Sequence, residues 1–261
     1  PPVMGNSMFE GGSGVSFGAF NEPRGLCEDA SGFFYVADTK NNRIQVFRPS
    51  GDYAWNVGVL DGDGNEFKEP NDITIDPQTG DLFIADTWNQ RAPRLNKEGT
   101  FIGAAAYDFF GPRGLVFHPG NRLLYICDTG HSQIKVLTPD GEQRMVWGQK
   151  GSGDEDLNEP VGIDVLPNGN LAILDSLNKR VKIYTPDGQM VRYWPIQTTW
   201  GGNGGFEGHL ACSADSMVFV TDPKEASVHV YTESGELTGA KITTSITGEA
   251  MRFPVGVIMT S

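Results

Sequence analysis

Phe33-Phe34-Tyr35-Val36-Ala37-Asp38 is the phrase that decides the fold, because the chain writes it five times. It returns as Asp81-Leu82-Phe83-Ile84-Ala85-Asp86, Leu123-Leu124-Tyr125-Ile126-Cys127-Asp128, Asn170-Leu171-Ala172-Ile173-Leu174-Asp175 and Met217-Val218-Phe219-Val220-Thr221-Asp222. The closing aspartates stand 48, 42, 47 and 47 residues apart. A short apolar run is too short for a helix and reads as a strand buried on both faces. Repeated at a period in the forties, it predicts a β-propeller, in which each small sheet is buried only by its neighbours.

Working outward from the phrase, each unit opens on a proline-led strand: Pro23-Arg24-Gly25-Leu26, Pro70-Asn71-Asp72-Ile73, Pro112-Arg113-Gly114-Leu115, Pro160-Val161-Gly162-Ile163, a degenerate Gly208-His209-Leu210, and Pro254-Val255-Gly256-Val257. A third strand follows the phrase, as in Ile44-Gln45-Val46-Phe47 and Val181-Lys182-Ile183-Tyr184. A Gly-containing hairpin such as Asp140-Gly141 or Asp187-Gly188 then leads into a fourth. Four strands per repeat make a propeller blade. The units fall at about 20–60, 67–107, 110–150, 157–200 and 205–245, within one domain spanning 1–261. The sixth proline-led strand at 252–261 and an N-terminal strand at 2–10 predict a sixth blade, incomplete in this sequence.

The loop between second and third strands is the most regular part: Asp38-Thr39-Lys40-Asn41-Asn42-Arg43, Asp86-Thr87-Trp88-Asn89-Gln90-Arg91, Asp175-Ser176-Leu177-Asn178-Lys179-Arg180. The combined pattern, Pro-x-Gly-Ile followed by Tyr-Val-Ala-Asp-Thr-x-Asn-x-Arg-Ile-x-Val-Phe, resembles the NHL-repeat family over essentially the whole chain. It fades in the fifth unit, where Asp222-Pro223-Lys224-Glu225-Ala226-Ser227 lacks both the asparagine and the arginine. The resemblance implies an all-β propeller, commonly of six blades.

Bulk properties narrow the partners. The net charge is −13, with 20 lysines and arginines against 33 acidic residues. Such a surface repels phosphate backbones, so nucleic acid is not expected, although RNA-binding relatives use a strongly basic version of one face. No apolar stretch approaches the length of a membrane span. Cys27, Cys127 and Cys212 sit in apolar strands of different units, too far apart for disulfides, and read as buried free thiols. The acidity and an opening residue other than methionine lean towards a secreted or ectodomain setting.

The candidate sites are modest. The repeated aspartates read as turn anchors that accept loop amides, with Arg43, Arg91 and Arg180 as braces between loops. Asp61, Asp63 and Asn65 resemble the start of a calcium loop without its later glutamate, so calcium is the one cofactor entertained and none is expected. The resemblance also brings amidating lyases, whose zinc-binding histidine follows the strand-one proline; Arg24, Asn71, Arg113, Val161 and Val255 stand there instead. Glu22, Glu69 and Glu159 precede those prolines and are a loose match to calcium-dependent lactonases. Strand-one starts and strand-two-to-three loops emerge on one side of the disc. That side is predicted to collect Arg24, Lys40, Asn41, Asn71, Trp88, Asn89, Arg113, His131 and Asn178, with Trp88 as the anchor. The expectation is a non-catalytic platform presenting these loops to a protein or glycan, or packing in an assembly. The alternative is a calcium-dependent lactonase- or lyase-like enzyme acting at the channel mouth.

Overall fold

The computed structural model describes residues 13–60, 65–105, 108–198 and 208–243. Within them lie five antiparallel four-stranded sheets, each wound in sequence order. The first comprises β1 (Pro23–Glu28), β2 (Phe34–Asp38), β3 (Arg43–Phe47) and β4 (Tyr53–Val57); the second β5 (Pro70–Ile75), β6 (Leu82–Asp86), β7 (Ala92–Leu95) and β8 (Phe101–Ala105). The third comprises β9 (Leu115–Phe117), β10 (Leu124–Asp128), β11 (Gln133–Leu137) and β12 (Gln143–Trp147); the fourth β13 (Pro160–Val165), β14 (Leu171–Asp175), β15 (Arg180–Tyr184) and β16 (Met190–Pro195). The fifth is β17 (Leu210–Cys212), β18 (Met217–Asp222), β19 (Ser227–Thr232) and β20 (Leu237–Ile242). Innermost strands lie beside one another in succession, β1 by β5, β5 by β9, β9 by β13 and β13 by β17. The predicted sixth blade, at 2–10 and 252–261, lies outside the described residues.

The repeated phrase explains the packing. Strand period two sends alternate side chains to opposite faces, and both faces of a blade are covered. Tyr35 and Ala37 of the first blade pack with Ile73, Leu82 and Ile84 of the second, around Phe67 from the connecting segment. Phe83 and Ala85, on the other face of the second blade, pack with Leu115, Phe117 and Ile126 of the third. The next two interfaces repeat the arrangement, with Tyr125 and Cys127 against Ile163 and Ile173, then Leu174 and Val181 against Leu210 and Val220.

Near the axis the strands come closer than a side chain allows. A Cβ built on Gly114 would sit 2.5 Å from the Val161 carbonyl oxygen, inside any normal contact. The aligned positions of the first and fourth blades are also glycines, Gly25 and Gly162. Asp72 and His209 fill this column in the second and fifth blades.

Candidate functional site on the axial face

The first four blades build the loop face with the same device. Asp38 Oδ2 accepts hydrogen bonds from Asn41 (2.9 Å), Arg43 Nε (2.7 Å) and Gln45 (3.0 Å), while Oδ1 accepts the Asn21 amide (2.7 Å). Asp86 holds Asn89 and Arg91 in the same way, and Asp175 holds Asn178 and Arg180. In the third blade His131 and Lys135 take these places on Asp128. The four aspartates are fully buried. Among the predicted face residues, Asn41, Asn89, His131 and Asn178 are therefore engaged in bracing the loops. A neighbouring threonine ties each of the first three blades to the next: Thr39, Thr87 and Thr129 donate to the carbonyls of Pro70 (2.8 Å), Pro112 (2.9 Å) and Pro160 (2.7 Å).

Arg24, Asn71, Trp88, Lys40 and Arg113 are brought to the axial mouth by the strand-one starts and the loops beside them. Glu69 accepts from Lys40 Nζ (2.9 Å) and from Trp88 Nε1 (3.0 Å). Burial pulls the Glu69 carboxyl up, but these two donors with Arg24 nearby more than reverse this and hold it below the usual range. Arg24 lies within electrostatic reach of Glu22 and Glu69, yet burial lowers its pKa. Burial and the adjacent Arg24 guanidinium lower Arg113 to about 10, against the opposing pull of Glu159 and Glu69. Two desolvated guanidiniums and three carboxylates thus share the mouth. Asn71 is buried beneath it.

Glu22, Glu69 and Glu159 all have left-handed backbones, at φ 48°, 52° and 50°. Gly111, at the equivalent point of the third blade, is also left-handed, at φ 62°. The backbone favours glycine here and gets it once; three glutamates carry the strain instead, which points to a use for their side chains.

Below the mouth, His209 of the fifth blade reaches Asp72 of the second, with Nε2 3.5 Å from Oδ2. Asp72 also accepts the amides of Ile73 (2.9 Å) and Leu115 (3.0 Å), linking two inner strands. Asp164 accepts the amides of Val165 (2.8 Å) and Cys212 (2.7 Å) and, fully buried, is raised by that burial to about 6. Burial disfavours the charged imidazole of His209, but Asp72 and Asp164 together outweigh it and set its pKa above the ordinary value. Neither ring nitrogen of His209 makes a hydrogen bond. These axial residues escaped sequence reading. Their signal was Asp72 and His209 breaking a column otherwise held by glycine.

An apolar arc surrounds the mouth. Trp88 is 50% exposed, Phe110 52% and Leu177 38%. Trp88 and Leu177 occupy equivalent loop positions, their amides donating to Lys68 and Asn158, and Phe110 accepts the Gly130 amide at the matching point of the third blade. Phe110 also packs on His131, at 5.7 Å between ring centroids.

Arg24 and Arg113 occupy two of the positions after the strand-one prolines, and a guanidinium is no metal ligand. Asp61 and Asp63 lie outside the described residues; Asn65 gives its side-chain oxygen to Arg91. Cys27, Cys127 and Cys212 are free thiols whose pKa values burial pushes up.

A ring of radially packed four-stranded blades with one loop-bearing face and a charged axial mouth is a β-propeller of the repeat type. Residues 20–47 match the family described as NHL repeat. Over 117 residues it is 27% identical to Protein brain tumor of Drosophila melanogaster, covering 43% of this chain and 11% of that protein. Over 132 residues it is 27% identical to NHL repeat-containing protein 3 of Mus musculus, covering 48% of this chain and 38% of that protein. The chain thus spans well under half the length of these curated relatives. Among solved structures, a chain of a nidogen–laminin complex superposes with a TM-score of 0.71 at 18% identity, over 90% of this chain and 84% of that one. A streptogramin B lyase superposes at 0.63 and 17% identity, over 84% of this chain and 67% of that one. At these identities the likeness is one of fold. Among the described residues no helix is long and apolar enough to cross a membrane.

Proposed function

We propose that this propeller is a protein-binding platform, and that its partner docks on the axial face through Trp88, Phe110 and Leu177 with Arg24 and Arg113 at the centre. The observation that carries this reading is the composition and placement of that face: exposed large apolar side chains ring two desolvated arginines, on loops held rigid by buried aspartate clamps. Trp and Arg are the residues most enriched where binding energy concentrates, and rigid loops reduce the entropy cost of docking. The mouth carries both signs of charge, which suits a folded or peptide partner better than a uniformly charged polymer. The likeness to a chain of a nidogen–laminin complex is consistent with a propeller of this shape serving in a protein assembly.

The test is a peptide-display selection on the folded chain, followed by binding of the enriched peptides to Trp88→Ala and Phe110→Ser. The expected result is a loss of ten-fold or more in affinity with unchanged melting temperature. Peptides that bind both variants as tightly as the parent place the functional surface elsewhere and overturn the reading.

A second reading, a lactonase- or lyase-like reaction at the mouth, draws on the buried His209 beside Asp72. Proton transfer would fall to that imidazole, whose pKa burial lowers and Asp72 and Asp164 more than restore, to above its ordinary value. Turnover of a panel of simple lactones that disappears in His209→Ala supports it; equal rates in the variant dispose of it.

A further inference from the structure

The fifth blade departs from the clamp used by the other four at three places at once. Arg43, Arg91 and Arg180 stand five residues after their aspartates, and Lys135 serves the third blade; their charged nitrogens lie 2.7–2.8 Å from the carboxylates. In the fifth blade Ser227 replaces the arginine, and its buried hydroxyl makes no hydrogen bond. Three residues after the aspartate, where others have Asn or His, stands Glu225; seven after, where others have Gln, Pro or Lys, stands His229. Cationic and amide side chains have given way to a carboxylate and an imidazole around a buried aspartate.

We propose that Asp222, Glu225 and His229 form a binding site for a divalent cation of the zinc class, which ties the fifth blade's loop as a basic side chain ties the others. One ligand atom from each lies within 4.8 Å of the other two. His229 is 7% exposed, its Nε2 makes no hydrogen bond, and that atom points at Glu225 Oε2 from 3.7 Å. A buried imidazole nitrogen without a donor or acceptor is costly unless something fills its coordination. One nitrogen and two carboxylate oxygens are a ligand set that zinc takes readily, leaving a fourth position open. A cavity of about 640 Å³ lined by Gln197, Thr198, Leu237, Gly239 and Lys241 opens beside Glu225 and His229 and gives the ion an entry path.

Lys241 makes the idea discriminating. Its ammonium pairs with Glu225, the carboxylate the ion would use. It extends from the outer strand β20 with its side chain 44% exposed, so it is free to swing into solvent. Cation and lysine compete for one carboxylate.

The experiment is calorimetric titration of the whole chain with zinc chloride and cobalt chloride, with visible spectra of the cobalt form. The expected result is one saturable equivalent per chain and cobalt d–d bands of low-coordinate geometry. Binding should fall at least ten-fold in Glu225→Gln and in His229→Gln. Lys241→Ala should instead tighten it several-fold, an effect that general loss of structure does not produce. Glu225 is an exposed loop residue, so Glu225→Gln keeps the test valid if His229→Gln folds poorly. The absence of a saturable equivalent up to millimolar metal overturns the proposal, as does binding that is equal in parent and Glu225→Gln.

Discussion

Asp175 shows how much a single side chain carries. It is fully buried, and it accepts the Asn158 amide, the Asn178 amide group and Arg180 Nε, the last at 2.7 Å. Arg180 goes on to the carbonyls of Gly153 (2.7 Å) and Asp156 (2.9 Å) in the segment entering the blade. Removing the carboxylate leaves a buried guanidinium without its counter-charge, which costs about 3–5 kcal/mol. Asp175→Ala is therefore expected to lower the urea midpoint by that equivalent; a loss of about 1 kcal/mol or less, typical of a surface pair, contradicts the clamp. The sequence already announced this role, because a residue recurring at the same turn in every unit serves the unit. It did not announce Asp72 or His209, which are informative because they break the pattern. No repeat rule reveals where an exceptional side chain will meet another from a distant unit.

The blades were the most legible elements. Alternate apolar positions such as Phe34/Val36 and Tyr35/Ala37 fixed strand identity, and Gly-bearing hairpins fixed where each strand ends. The fifth blade's first strand was the weakest, and it is short, Leu210–Cys212. What holds neighbouring blades together at the axis is the absence of side chains. Gly114→Ala inserts a methyl against the Val161 carbonyl and the Gly162 backbone, two atoms that cannot rotate away. Overpacking of this kind costs about 1–3 kcal/mol. The variant is expected to melt several degrees lower, whereas Gly103→Ala, with nothing within 4 Å, is the matched control on an outer strand. Equal melting of the two variants refutes tight axial contact.

At the scale of the whole molecule, Asp72 and His209 join the second and fifth blades across the axis, so titration of the axial groups bears on closure of the ring. Asp164 titrates at about 6 in the folded chain, above the roughly 3.9 of a free aspartate. The folded state therefore binds the proton more tightly, so the contribution to stability is complete below about pH 4 and is lost as pH rises through 6. His209, also raised, acts with the same sign: its contribution holds below about 6.5 and fades as pH climbs through the higher folded value. The melting temperature of the parent relative to Asp164→Asn is expected to be higher at pH 4 than at pH 7.5. A difference that stays constant across that range rules out a raised Asp164. The proposed docking face belongs to this scale too, since Trp88, Phe110 and Leu177 come from three different blades.

The amino-acid order by itself determined the all-β repeat, the buried strands and the turn aspartates. These depend on local period, on turn chemistry and on the burial of short strands, all of which are written within about fifty residues. Trp88 also stood out, because its aligned neighbours do not require it. The tertiary structure alone decided which charges share the axial mouth, that four predicted face residues brace loops, and that Asp72 meets His209. Those contacts join residues up to three units' length apart. Their distances follow from how tightly the rigid blades close round the axis, and no window of sequence encodes that.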